Sequence, residues 1–124
     1  MLLNKVGKLV KKLDFRGTKI DYLDKVSAKE LLLIMAAAEQ MVNMKEKFKA
    51  KELAPKDWSQ TVYEPIMRAC LQCSKEPDKA KQHANRLFGV IVKQALIMTP
   101  LLFRQMDSGS EWEGAIYVRE SLDF

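Results

Sequence analysis

Glycine, proline, cysteine and histidine are all scarce in this sequence. Five glycines and four prolines among 124 residues are too few for the many tight turns of an all-β fold. The two cysteines, Cys70 and Cys73, exclude a disulfide framework and lack the second pair of ligands that a structural zinc site needs. The single histidine, His83, has no nucleophile or carboxylate at a defined spacing. We therefore predict no catalytic residue, metal, cofactor or small-molecule substrate, and expect that the protein is not an enzyme.

A long uninterrupted apolar run is also missing. The most apolar stretch is Ala84 to Met106, and its apolar part from Leu87 to Phe103 is interrupted by Lys93 and Pro100. A membrane span needs about 20 apolar residues with few charges. The first 13 residues contain lysines throughout instead of the apolar core of a secretory signal. These features predict a cytoplasmic protein without a membrane partner.

Apolar residues recur at three- and four-residue spacing through most of the chain, which is typical of α-helices. The sequence from Ser27 to Glu30 matches a capping box, and Pro77 suits the first turn of a helix. We predict an all-α fold, a compact bundle of four to five helices with an extended acidic C-terminal tail. The predicted domain is 1–106 and the tail is 107–124. The predicted helices cover 2–13, 28–53, 61–74 and 77–99, with 100–106 as a kinked end or a separate short helix.

Charge is unevenly distributed along the chain. The formal net charge is +5, yet the tail holds one basic and five acidic residues. A basic body attracts polyanions, and an acidic tail covers that surface or meets a partner. Within the tail, Ala115–Val118 has strand propensity, but a lone strand does not form a sheet.

The N-terminal stretch alternates an apolar stripe with lysines, which predicts an amphipathic helix with a basic face. Three interpretations remain open: a terminal helix packed on the core, a nucleic-acid contact, or an anchor on anionic membranes. In the helix predicted over 77–99, three basic residues at seven-residue spacing form a seam. That seam is either a solvated edge or a contact with phosphate or an acidic partner. The candidate nucleic-acid-binding residues are Lys5, Lys8, Lys11, Lys12, Arg16, Lys19, Lys79, Arg86 and Lys93.

The end of the chain, Glu120-Ser121-Leu122-Asp123-Phe124, resembles the acidic, Phe-terminated tips by which bacterial single-strand DNA-binding proteins recruit partners. The rest of the chain does not resemble the β-barrel of those proteins. The resemblance implies a protein-docking peptide, with Trp112, Leu122, Asp123 and Phe124 as candidate contacts.

Two functions follow from these features. The first is a non-enzymatic, basic helical subunit that binds the phosphate backbone of nucleic acid within a larger complex. The alternative is a protein-interaction module, an adaptor, inhibitor or assembly subunit. It would act through a Met-rich apolar surface or the acidic tail, on a protein partner or on a second copy of the chain.

Overall fold

The protein has a mixed α/β fold in which a small sheet joins residues from both ends of the chain. A computed structural model describes residues 1–13, 15, 17–106 and 115–121. The chain begins with β1 (Leu2–Leu3), a 3₁₀ helix (Ile20–Lys25), α1 (Ala28–Asn43), β2 (Lys47–Lys49) and α2 (Ala50–Leu53). It continues with a second 3₁₀ helix (Trp58–Gln60), α3 (Glu64–Cys73), α4 (Pro77–Met98), β3 (Leu102–Met106) and β4 (Ile116–Glu120).

The strands lie in the order β1-β3-β4-β2, with β1 parallel to β3 and the other neighbours antiparallel. Side chains alternate between the two faces of a strand, and each strand buries one residue: Leu2, Phe103, Tyr117 and Phe48. The Phe48 ring lies 6.2 Å from the Phe103 ring and 5.5 Å from the Tyr117 ring. The sheet therefore has one apolar face, which belongs to the same core as the helices.

The helix α4 is the centre of the helical part. It contacts α1, α2 and α3, and Leu87, Phe88 and Leu96 are at most 1% exposed. The rings of Trp58 and Tyr63 pack edge-to-face on Phe88, with centroids 6.1 and 5.0 Å away. Aromatic pairs of this geometry add about 0.5–1.5 kcal/mol beyond the burial of their area.

The predicted all-α helical bundle is wrong, and the predicted helix 2–13 is its first error. Asn4 Oδ1 accepts hydrogen bonds from the backbone N–H of Val6 and Lys8, at 3.1 and 2.9 Å. Gly7 adopts a φ of +86°, a left-handed conformation that glycine adopts without steric cost. These residues form a turn after β1, and Val6 is 71% exposed instead of packed in a helical stripe.

The predicted helix 28–53 begins correctly at Ala28 but is too long, and the predicted helix 100–106 is wrong. The helix α1 ends at Asn43, and the charged segment after it forms β2, in which Phe48 is buried between two lysines. Pro100 follows the end of α4, and the chain continues as β3. The segment 116–120, expected in an extended tail, forms β4 between β3 and β2. The strand propensity of this segment is realised because its two partners, both predicted as helix, are strands.

Three local predictions are confirmed. The Ser27 hydroxyl accepts a hydrogen bond from the Glu30 N–H, and the Glu30 carboxylate accepts one from the Ser27 N–H, both at 3.1 Å. The helix α4 covers the predicted 77–99 to within one residue, and α3 lies within the predicted 61–74. Within the described parts of the chain, no helix is long and apolar enough to cross a membrane.

Candidate functional site

A groove lies between α4, α2 and the N-terminal segment. It consists of two adjoining cavities, of about 570 and 740 Å³, which share Ala50, Lys51, Arg86 and Gly89. We call the two together the basic groove. The first cavity is also lined by Leu13, Gly17, Thr18, Val90, Lys93, Ala115 and Tyr117, and the second by Glu52, Ala54, Pro55, Lys56, Lys81 and Asn85.

One wall of the basic groove is a single face of α4. Lys81, Asn85 and Gly89 follow each other at four-residue spacing, so they align along the helix. Arg86 and Lys93, seven residues apart, lie beside them. The Arg86 Nη1 atom donates a hydrogen bond to the Gly17 carbonyl at 3.2 Å. This contact holds the N-terminal segment against α4 and closes one side of the groove.

The charge of the basic groove is strongly positive. Among the described residues, five cationic side chains line it against one carboxylate, that of Glu52. No carboxylate of the described residues lies within 4.0 Å of any of the five cations. Neighbouring like charges in a concave surface reinforce one another and attract anions. The five cations are Lys51, Lys56, Lys81, Arg86 and Lys93.

Three cations elsewhere in the described parts of the chain, Arg68, Lys79 and Arg104, are engaged in ion pairs. The Arg68 side chain contacts the Glu30 carboxylate and lies 3.8 Å from Glu64. The Arg104 guanidinium donates two hydrogen bonds to Glu120 and holds the pKa of that carboxyl below its usual value. The hydrogen bond from the Ser27 backbone, followed by that from Arg68, lowers the pKa of Glu30. The five groove cations, in contrast, form no ion pair with the residues that the structure describes.

The floor of the basic groove is apolar. Leu13, Val90 and Ala115 line it together with Tyr117, which comes from β4 and is only 4% exposed. Burial raises the pKa of Tyr117 to about 12, and its hydroxyl makes no hydrogen bond with the described residues. A Cβ placed on Gly89 would meet no atom within 4 Å. The groove therefore combines a cationic rim with an apolar floor. At Gly89, which has no side chain, the groove reaches the backbone of α4.

Two residues of the predicted basic seam, Arg86 and Lys93, line the groove, and the third does not. Lys79 lies on the same helix but outside the groove, with its Nζ 3.4 Å from a Glu76 carboxylate oxygen. The structure thus brings Arg86 and Lys93 together with Lys51 of α2, Lys56 of the following segment and Lys81, which were not predicted as binding residues.

The predicted N-terminal lysines are exposed, but they do not share the face of a helix. Lys11 and Lys12 directly precede Leu13, and Lys19 directly follows Thr18, so these three flank residues that line the groove. Lys5 and Lys8 lie in and after the turn that follows β1. Arg16 lies outside the described residues, as do the predicted protein-binding residues Trp112, Leu122, Asp123 and Phe124.

Sequence reasoning missed three of the five groove cations, Lys51, Lys56 and Lys81. A signal existed for Lys81, because Lys81, Asn85 and Gly89 interrupt the apolar circumference of α4 at helical spacing. No local signal existed for Lys51, in the charged end of the predicted helix 28–53, or for Lys56, in the segment that follows that helix. Their position depends on β2, which the sequence analysis did not predict.

Groups with other chemistry are few in the part of the chain that the structure describes. It contains no cluster of three or more His, Cys, Asp or Glu that could hold a metal ion. Cys70 and Cys73 are free thiols, and burial raises the pKa of Cys70 to about 11. Comparisons with protein families, with curated proteins and with solved structures found no match for this chain.

Proposed function

We propose that this protein binds the phosphate backbone of nucleic acid in the basic groove, as a non-enzymatic subunit of a larger complex. The observation that carries the proposal is a set of five cations that converge on one concave surface, none of them within 4.0 Å of a carboxylate of the described residues. Phosphate contacts of lysine and arginine release counterions and supply most of the affinity of non-specific nucleic-acid binding.

The roles of the side chains follow from their positions. Lys51, Lys56 and Lys81 are exposed lysines on the rim, suited to act as point charges on phosphates. Arg86 keeps donors beyond the one that reaches Gly17, so it can both close the groove and contact a phosphate. The flanking lysines Lys11, Lys12 and Lys19 extend the same positive surface in this proposal.

The test compares two triple variants with the same change of net charge. In the first, Lys51, Lys56 and Lys81 become alanine. In the control, Lys29, Lys45 and Lys75 become alanine; these are equally exposed but do not line the groove. Binding of labelled oligonucleotides is measured at several salt concentrations between about 50 and 200 mM.

We expect the groove variant to lower the slope of log affinity against log salt by about 2, since each lost contact with a single strand removes about 0.7. The control should change the slope little. A third variant, with Lys8, Lys11 and Lys12 changed to alanine, tests the N-terminal site. Equal losses in the groove and control variants would contradict the proposal, because binding would then depend on net charge alone.

A second candidate function is supported by an apolar face of α1. Leu32, Leu33 and Met44 are 71%, 54% and 77% exposed. Leu32 and Leu33 lie with Ala36 along one side of α1, and Met44 directly follows its last residue, Asn43. Exposed apolar stripes of this kind are typical of protein-interaction surfaces. The acidic tail is the other surface proposed for a partner, and deleting it after Met106 would also remove β4.

Substitution is therefore the better test of the interaction module. If α1 binds a second copy of the chain, sedimentation equilibrium should show concentration-dependent association that disappears when Leu32 and Met44 are changed to lysine. A monomer at every concentration would exclude self-association through this face.

A further inference from the structure

We propose that the basic groove takes a single strand of nucleic acid, with bases on its apolar floor and phosphates on its cationic rim. This inference rests on the proposed function and adds the class of nucleic acid. The inference depends on the lining of the groove, which contains apolar side chains as well as cations. Binding of phosphate alone would require only the cations.

The first argument is the match between lining and ligand. A duplex presents phosphates on its outside and keeps the faces of its bases stacked within, so a basic surface is enough to bind it. A single strand exposes base faces as well, which need apolar or aromatic surface beside the charges. In the first cavity Leu13, Val90 and Ala115 provide that surface next to Arg86 and Lys93.

The second argument is Gly89. A glycine inside a helix costs about 1 kcal/mol relative to alanine, and packing within the protein does not require one here, since a Cβ would meet no atom within 4 Å. Gly89 lines both cavities, at the point where they adjoin. Its missing side chain leaves room for a planar base to approach the backbone of α4 closely.

The third argument concerns two aromatic residues, Tyr117 in the lining of the groove and Phe15 close to it along the chain. The Phe15 side chain is not part of the lining, but it is 43% exposed and lies two residues from Leu13 and from Gly17, which both line the groove. An exposed ring at this place can stack on a base. The Tyr117 hydroxyl, on the floor and without a partner among the described residues, can donate a hydrogen bond to a base edge or a sugar.

The experiment measures binding of a labelled oligothymidylate of about 15 nucleotides and of a duplex of the same length, at about 50 mM salt. The variants are Gly89→Leu, which fills the groove without changing charge, and Phe15→Ala, which removes the exposed ring. Gly89→Ala is the matched control for the backbone effect of replacing glycine. Thermal unfolding of each variant shows whether it is folded.

We expect the wild type to bind the single strand at least about tenfold more tightly than the duplex. Gly89→Leu should lose at least about tenfold of that affinity with an unchanged salt slope. Phe15→Ala should lose about 5- to 150-fold, the range that corresponds to one stacked base. Since Phe15 is exposed, this variant keeps the proposal testable even if Gly89→Leu does not fold.

The failures of the two proposals are distinguishable. Tighter binding of the duplex, or single-strand affinity unchanged in both folded variants, would overturn the single-strand inference. The phosphate-binding proposal would still stand if the groove lysine variant reduced the salt slope. No binding of either oligonucleotide at low salt would overturn both.

Discussion

Two glycines of this protein separate the effect of backbone conformation from that of steric space. At both Gly89 and Gly17 an added Cβ would meet no atom within 4 Å. Gly89 lies within α4, whereas Gly17 has a φ of +74°. Changing each to alanine should therefore shift the free energy of unfolding in opposite directions.

The magnitudes follow from the two conformations. In a helix interior, alanine is about 0.8–1.0 kcal/mol more favourable than glycine, so Gly89→Ala should stabilise the protein by about 1 kcal/mol. A residue with a Cβ in the left-handed region costs about 1–2 kcal/mol, so Gly17→Ala should destabilise it by that amount. For a chain of this size 1 kcal/mol corresponds to a change of about 3–5 °C in Tm.

The assay is urea unfolding followed by far-ultraviolet circular dichroism, with the midpoint and slope fitted for each variant. A shift of the midpoint at constant slope reports a change in stability. If both variants moved the midpoint in the same direction, the conformations assigned to these two glycines would be contradicted. Oligonucleotide binding by Gly17→Ala is informative as well, because the Gly17 carbonyl accepts the hydrogen bond from Arg86.

Two further predictions concern titratable groups. Burial raises the pKa of Tyr117 from 10 to about 12, so the folded state keeps this proton longer and stability should fall as pH rises from about 10 to 12, by at most about 2–3 kcal/mol. The Tyr117→Phe variant should show a smaller fall of stability than the wild type, although both proteins keep the same alkaline contribution from Cys70. A pH dependence identical to that of the wild type would refute this prediction. Cys70 is fully buried and Cys73 partly exposed, so the native protein should take up one equivalent of iodoacetamide and Cys73→Ser none; modification of that variant before unfolding would contradict the burial of Cys70.

The parts of the fold that could be predicted from sequence are those held by local interactions. The capping box at Ser27 and the long apolar pattern of α4 each identify a helix through residues within a few positions of one another. The strands β1 and β2 have no such signal, because β1 has two residues and β2 has three. Strands this short do not show a two-residue period, and β1 pairs with a strand about 100 residues away.

Long-range polar contacts explain why α1 ends where it does. The Arg119 guanidinium donates to the Asn43 carbonyl at the C-terminus of α1 and lies 5.6 Å from the centre of the Phe103 ring. The Thr99 hydroxyl donates to the Asn43 side chain at 2.6 Å. A cation near the last carbonyls of a helix is favourable, but both partners lie more than 50 residues away along the chain. Because the sequence does not show these contacts, the predicted helix continued through the lysines after Asn43.

The wrong prediction that α1 continues beyond Asn43 is also the reason why the groove cations outside α4 were not predicted as part of the candidate site. Had α1 continued through Lys51, that lysine would lie about 12 Å beyond Asn43 along the helix axis, since each residue adds 1.5 Å. Instead β2 pairs with β4, and α2 follows directly after Lys49. That pairing places Ala50 and Lys51 beside α4, while β4 places Tyr117 beneath them. The groove thus depends on contacts between distant segments, so its cations become a common surface only once the sheet has formed.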